Sequence, residues 1–114
     1  MQNISVCQSF EKRKQDSGIP LIDVRTPAEY GSIHADGAVN HPMDSLEIDE
    51  IPFSKEQEIH VICQSGGRSM KVSQKLEAAG FTNVVNVEGG TLAWHAAGLP
   101  VDEGKKVMSL ERQV

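Results

Sequence analysis

One short segment of the chain carries residue types that together could perform nucleophilic chemistry. It spans residues 63–69 and contains Cys63, Gln64, Ser65, Gly66, Gly67, Arg68 and Ser69. A thiol is a weak nucleophile at neutral pH unless its thiolate is stabilised by a cation or by the N-terminus of a helix. Two glycines let this backbone curl so that its N–H groups can converge on the sulfur, and Arg68 supplies a cation. Cys63 is therefore the candidate catalytic residue, and residues 64–69 form its candidate binding loop.

The elements predicted on either side of Cys63 indicate whether it is a nucleophile or an inert buried residue. Burial without reactivity is the commoner fate of a free cysteine. Residues 58–63 (EIHVIC) contain a run of β-branched residues and predict a buried strand. From Arg68 or Ser69 to Ala79, apolar residues recur at helical spacing, and this predicts a helix. The dipole of such a helix would stabilise an anion at its first turn. This position between strand and helix favours the nucleophile.

The rest of the chain alternates between the two patterns. Short apolar runs predict further strands at 20–24, 37–42 and 83–87. Capping and proline signals predict helices at 8–15, from 26–27 onward, and at 91–98. Strands separated by helices indicate an α/β fold with a central parallel sheet flanked by helices on both faces. Ligands bind such sheets at the carboxyl ends of the strands, which is where Cys63 is predicted to lie.

Length and charge limit the classes of function. With 114 residues, the chain is predicted to form one domain over 1–114, with 102–114 as a polar tail that frays. A net charge of −5 argues against a nucleic-acid partner. No apolar run could cross a bilayer and no secretion signal is present, so we expect a cytoplasmic protein without a membrane partner. Histidine and cysteine spacings match no metal-site pattern, so we predict no metal and no cofactor.

Two further features have more than one interpretation. The segment 44–58 is rich in acids and is either a solvated connection or a docking surface for a basic partner. The second cysteine, Cys7, lies away from any glycine-rich turn and is predicted to be a small packing residue.

Four motifs resemble those of the rhodanese family of sulfurtransferases. They follow one another over nearly the whole chain: LIDVRTPAEY (21–30), HADGAVNHP (34–42), CQSGGRS (63–69) and GGTLAWHAAGLPV (89–101). The chain therefore resembles a single-domain rhodanese. Family members often read Gly-His-Ile where this chain has Ile33-His34-Ala35, a departure that affects a backbone turn and leaves the chemistry unchanged.

The resemblance implies that Cys63 carries a sulfane sulfur as a persulfide. The sulfur would come from a donor such as thiosulfate and pass to an acceptor such as cyanide or a thiol. Small molecules are the expected partners, and a partner protein could fill either role. Asp23 and Arg25 follow a predicted strand and are lower-ranked supporting residues, interpreted as structural hydrogen bonding or as substrate contacts.

The alternative functions involve either a similar fold or the same nucleophilic site. Cysteine-dependent phosphatases and arsenate reductases of a similar fold have five residues between cysteine and arginine, whereas four separate Cys63 from Arg68 here. A shorter loop favours sulfur over a tetrahedral oxyanion. A binding module with a dead site would typically lack the cysteine, and a sulfur carrier serving a partner protein would use the same chemistry.

Overall fold

The computed structural model describes residues 1–103. Its α-helices are α1 (Val6–Gln15), α2 (Pro27–Ser32), α3 (Gly67–Ala78) and α4 (Gly90–Ala96). Its strands are β1 (Gln2–Ile4), β2 (Leu21–Asp23), β3 (Ile33–Ala35), β4 (Val39–Asn40), β5 (Ile59–Ile62), β6 (Val84–Val87) and β7 (Val101–Glu103). Two short 3₁₀ helices cover Met43–Ser45 and Ile48–Glu50.

Five of the strands form a parallel sheet in the order β1-β6-β5-β2-β4. Residues along β5 alternate between the two sides of the sheet. Val61 belongs to a core cluster that includes Val72 of α3, whereas Ile62 packs in a second cluster that includes Trp94 of α4. The predicted α/β fold, with a parallel sheet and helices on both faces, is confirmed.

The helix starts follow the capping signals in the sequence. Ser5 caps α1, its hydroxyl accepting the Gln8 N–H while the Gln8 side chain accepts the Ser5 N–H. Thr26 and Glu29 form the same reciprocal box at the start of α2, directly before a proline at the first helical position. The α1 helix begins two residues earlier than predicted.

Three short strands were not predicted from the sequence. β1 pairs with β6 at the edge of the main sheet, while β3 and β7 form a separate antiparallel pair. Asp102 and Glu103 were assigned to a fraying tail, but they pair with His34 and Ile33 in β3. Residues 104–114 of that predicted tail lie outside the described residues.

The acidic segment is more than a solvated connection. Its apolar residues Leu46, Ile48 and Phe53 pack against the core, while its acids at positions 44, 47, 49 and 50 are exposed. Whether those acids bind a partner stays a prediction. In the part of the chain that the structure describes, no helix is long and apolar enough to cross a membrane. The cytoplasmic location also stays a prediction.

Candidate active site

Cys63 lies directly after β5, at the carboxyl edge of the sheet. The residue is 1% exposed. Its neighbour in the chain, Ile62, is paired with Asp23 at the end of β2. The chain then turns through residues 64–66 and enters α3 at Gly67. The predicted position of the thiol, between a buried strand and the start of a helix, is thus observed, and the strand is the central one of the sheet.

The turn brings polar groups onto the sulfur. The Gly66 N–H donates a hydrogen bond to Cys63 Sγ at 3.1 Å. The thiol in turn donates to Ser69 Oγ at 3.3 Å, and the Ser69 hydroxyl donates to the Gly66 carbonyl at 3.1 Å. Gly66 has φ of +115°, a left-handed conformation that a residue with a side chain adopts only with strain. Glycine at this position therefore lets the loop close around the sulfur.

These contacts set the acidity of the thiol. Burial raises the pKa of Cys63, because the charged thiolate loses solvent. Hydrogen bonds from the Ser69 hydroxyl and from the backbone amides of Ser69, Gly66 and Ser65 stabilise the thiolate. Their combined effect is larger, so the pKa of Cys63 lies below its ordinary value. A lowered pKa is the property that an attacking thiolate requires.

Arg68 makes a different contact from the one expected. It was predicted to supply a cation to the thiolate, but its guanidinium hydrogen-bonds to the two carboxylate oxygens of Glu29 at 2.8 and 2.9 Å. The Glu29 hydrogen bonds raise the pKa of Arg68, with a smaller contribution from the charge of Cys63. Arg68 therefore interacts mainly with Glu29, and its interaction with the Cys63 thiolate is weaker.

Asp23 and Arg25 form a buried ion pair under the loop. The guanidinium of Arg25 bonds both carboxylate oxygens of Asp23, at 2.8 to 3.2 Å, and also the carbonyl of Ile33. Its remaining terminal nitrogen donates to Gln64 Oε1 at 3.3 Å. Both residues are 0–1% exposed. Structural hydrogen bonding, one of the two interpretations of this pair, is what the geometry supports.

Two small depressions flank the loop. One, of about 250 Å³, is lined by Arg68 together with Val24, Pro27 and Met43. The other, of about 350 Å³, is lined by Gln64, Arg25 and Glu29. Arg68 lines the first depression and Glu29 lines the second, so their ion pair lies between the two depressions. Gln64 is half-buried and Ser65 is exposed. Whether these two residues contact a substrate stays a prediction.

Comparison with known proteins assigns the family. The sequence pattern described as "Rhodanese-like domain" matches residues 6–97. The chain belongs to the rhodanese-like domain family.

Relatives of this rhodanese-like domain include "Thiosulfate sulfurtransferase 16, chloroplastic" from Arabidopsis thaliana. It is 42% identical over 96 residues, which cover 74% of this chain and 80% of the relative. A protein of Synechocystis, described as uncharacterized, is 32% identical over 114 residues, or 98% of this chain. The matched region spans only 64% of that cyanobacterial protein's length.

The architecture agrees with this membership. The crystal structure of a rhodanese-like domain protein from Staphylococcus aureus superimposes with a TM-score of 0.74 at 34% sequence identity. The match covers 82% of this chain and 91% of the other. The resemblance identified from the four sequence motifs is therefore confirmed.

The rhodanese-like loop also depends on residues in α4 that were not predicted from the sequence to belong to the site. The Thr91 N–H and hydroxyl both donate to the Cys63 carbonyl, at 2.8 and 3.1 Å, and the Leu92 N–H donates to the Gln64 carbonyl at 3.1 Å. A Cβ on Gly90 would lie closer than 3.0 Å to those same carbonyls. The consecutive glycines at 89–90 entered the sequence argument only as the first residues of the fourth motif. Two consecutive glycines directly before a predicted helix could have indicated that another part of the backbone approaches closely there.

Cys7 does not occupy the position predicted for it. It is exposed on α1, whereas Cys63 is buried behind the loop. Its side chain therefore does not fill the core, and the prediction that Cys7 is a packing residue is wrong.

Proposed function

We propose that the protein is a sulfurtransferase that carries a sulfane sulfur as a persulfide on Cys63. The observation that supports this most directly is the set of donors around Cys63 Sγ, which lowers the pKa of the thiol. A thiolate prepared in this way is a nucleophile without a separate general base. The names of relatives such as the Arabidopsis thiosulfate sulfurtransferase point to the same chemistry.

The cycle has two displacement steps at sulfur. In the first, the Cys63 thiolate attacks the outer sulfur of a donor such as thiosulfate. A new S–S bond forms at Cys63, the S–S bond of thiosulfate breaks, and sulfite leaves with the bonding electrons. In the second, an acceptor such as cyanide attacks the outer sulfur of the persulfide. Thiocyanate leaves, and the Cys63 thiolate is restored.

The loop can stabilise the intermediate as well as the thiolate. The persulfide moves the negative charge outward by one sulfur atom, toward the amides of residues 65–66 and the start of α3. Backbone N–H groups and a helix N-terminus stabilise anions at such positions. Four residues between Cys63 and Arg68 form a small ring, which suits one sulfur atom better than the three equatorial oxygens of a phosphoryl group.

Thiocyanate production from thiosulfate and cyanide tests the proposal. We expect turnover by the wild type and a loss of at least about 1,000-fold in Cys63→Ser, because the nucleophile is removed. Cys7→Ser is the matched control, since it makes the same change at an exposed thiol on α1, and it should retain most of the activity. Near-normal turnover by Cys63→Ser would overturn the proposal. Efficient, Cys63-dependent hydrolysis of an aryl phosphate would instead assign the site to a phosphatase.

A further inference from the structure

A surface groove runs from the nucleophilic loop across the segment that follows β4. It begins at the depression of about 250 Å³ that is lined by Arg68 and by the apolar side chains of Val24 and Met43. A second depression, of about 140 Å³, continues the first, because Pro42 and Ser45 line both. The two depressions therefore form one groove with its near end beside the loop.

The far end of the groove is lined by carboxylates. Glu47 and Glu50 line the second depression, and Asp44 lines the first. All three are exposed, and within residues 1–103 none of them forms an ion pair. We name the two parts the apolar depression and the acidic depression. Their charges are available to a molecule that lies in the groove.

The core beneath the groove holds it in a fixed shape. Leu46 and Ile48 pack against the cluster that includes Val72 of α3. The Met43 N–H donates to the Val24 carbonyl at 3.0 Å, which ties the first 3₁₀ helix to the end of β2. Because the backbone that carries the acids is anchored in this way, little ordering is needed when a partner binds, and binding is favoured accordingly.

The charge and size of the groove select what can occupy it. Unpaired carboxylates repel anions such as nucleic acid, and they repel a second copy of this chain, whose net charge is −5. They attract lysine and arginine side chains of a partner. The apolar depression is smaller than the pockets of about 300–1,000 Å³ that hold drug-sized ligands. It suits a single apolar side chain.

We propose that this groove docks a partner protein that accepts sulfur from Cys63, through a segment with one apolar side chain and one or two basic residues near its cysteine. The inference rests on the proposed function and names the class of partner that the same site serves. Cys63 lines neither depression, so the groove receives the residues that flank the partner's cysteine. Since Arg68 of the loop lines only the apolar depression, the apolar residue must lie nearer to that cysteine than the basic ones.

The transfer to such a partner balances without a further reactant. After the persulfide anion takes a proton from solvent, the partner's cysteine thiolate attacks the outer sulfur of the –S–SH group on Cys63. A new S–S bond forms on the partner. The S–S bond at Cys63 breaks, and the Cys63 thiolate leaves with the bonding electrons. The partner carries –S–SH, and no oxidant or reductant is consumed.

The test uses short acceptor peptides as probes of the groove. The persulfide form of the full chain is prepared with thiosulfate, freed of donor and mixed with N-acetylated, amidated Cys-Gly-Leu-Lys-Lys or with its reversed sequence, Lys-Lys-Leu-Gly-Cys, which covers the other chain direction. Intact mass gives the rate constant for loss of sulfur. Replacing leucine by serine, or both lysines by glutamine, should lower that rate constant on the order of fivefold. About 0.5 M NaCl should remove most of the effect of the lysines.

A double variant of the protein assigns the effect to the groove. In Glu47→Gln/Glu50→Gln, the ratio of the rate constant for the lysine peptide to that for cyanide should fall on the order of fivefold. The glutamine peptide should show no such fall, so the cycle separates docking from the intrinsic reactivity of each peptide thiol. Glu11→Gln/Glu56→Gln is the matched control, since it removes two exposed carboxylates outside the groove, and its ratio should match the wild type.

The outcomes distinguish this inference from the proposed function. If Cys63 loads and discharges to cyanide but the lysine and glutamine peptides respond equally to Glu47→Gln/Glu50→Gln, the docking groove is overturned and sulfur transfer stands. If Cys63 does not load, the proposed function fails, and the inference with it.

The chain's own residues 104–114, outside the described residues, include Lys105 and Lys106 and are a rival occupant. A faster transfer to the lysine peptide in Lys105→Gln/Lys106→Gln, as large as the loss in Glu47→Gln/Glu50→Gln, would assign the groove to that segment and overturn the partner. An unchanged rate in Lys105→Gln/Lys106→Gln is the result that the proposal predicts.

Discussion

The hydroxyl of Ser69 lies 3.3 Å from Cys63 Sγ and is itself fully buried in the first turn of α3. In the thiol form, Ser69 accepts from the sulfur and donates to the Gly66 carbonyl. In the thiolate form, the sulfur has no proton to give, and rotation of the hydroxyl lets Ser69 donate to it. Ser69 can therefore follow the protonation state of Cys63 without any movement of the backbone.

Replacing Ser69 should therefore raise the pKa of Cys63. Ser69→Ala removes a hydrogen bond that stabilises the thiolate relative to the thiol. A higher pKa leaves less thiolate at neutral pH, so alkylation by iodoacetamide should slow there and its pH profile should move upward. Ser73→Ala is the control, since this serine is also buried in α3 and its hydroxyl has no hydrogen-bond partner within the described residues. Identical alkylation profiles for Ser69→Ala and the wild type would contradict the assignment.

Substitution of Gly90 in α4 should disturb the loop that contains Cys63. Gly90 has φ of +61°, and a Cβ there would collide with the carbonyls of Cys63 and Gln64. Gly90→Ala should lower the free energy of unfolding by on the order of 3 kcal/mol, measured by urea denaturation. Gly31→Ala places the same methyl group in open space on α2 and should cost little or nothing. Equal stability of the two variants would rule out the close approach of α4 to the loop.

The strand, turn and helix around Cys63 could be predicted from the sequence. The long-range contacts that hold the loop in place could not. Strand β5, the glycine turn and helix α3 are contiguous, and each has a strong local pattern, so the position of Cys63 followed from about 20 residues of sequence. The Glu29–Arg68 pair joins residues 39 positions apart, and the Thr91 contact joins residues 28 positions apart. Contacts of this kind depend on how α2 and α4 pack, which no local pattern encodes. The three missed strands have only three residues each, too few for a periodic signal.

Breaking the buried pair under the loop should cost far more than breaking the exposed one. Asp23→Asn leaves the guanidinium of Arg25 buried beside a neutral amide, which should lower the free energy of unfolding by about 3–5 kcal/mol. Glu29→Gln breaks the partly exposed pair with Arg68, which should cost at most about 1 kcal/mol. Urea denaturation of both variants checks the contrast. A smaller loss for Asp23→Asn than for Glu29→Gln would be inconsistent with the burial of Asp23 and Arg25.

Stability should fall as the pH drops below neutrality because of His60. This side chain is buried between Ser9 Oγ, 2.6 Å from Nδ1, and Glu58 Oε2, 2.7 Å from Nε2. Burial lowers the pKa of His60, although the hydrogen bond to Glu58 and the charge of Glu58 oppose the effect. The unfolded chain therefore binds a proton more readily than the folded one, and stability is lost as pH falls through the unfolded value of about 6.5.

Urea denaturation between about pH 7.5 and pH 5.5 would measure this loss. The decline should flatten in His60→Gln, which cannot take up a proton, and persist in His95→Gln, which changes an exposed histidine on α4. A slope that is the same in His60→Gln as in the wild type would assign the pH dependence to other groups.

The mass of the intact protein after exposure to a sulfur donor tests the central claim most directly. Incubation with an excess of thiosulfate, or with cysteine persulfide, should add the mass of one sulfur atom to the wild type and to Cys7→Ser. Peptide mapping should place the added sulfur on Cys63, and cyanide should remove it with release of thiocyanate. No adduct should form on Cys63→Ser. A wild-type protein that gains no sulfur from either donor, or an adduct of the same yield on Cys63→Ser, would contradict a persulfide carried by Cys63.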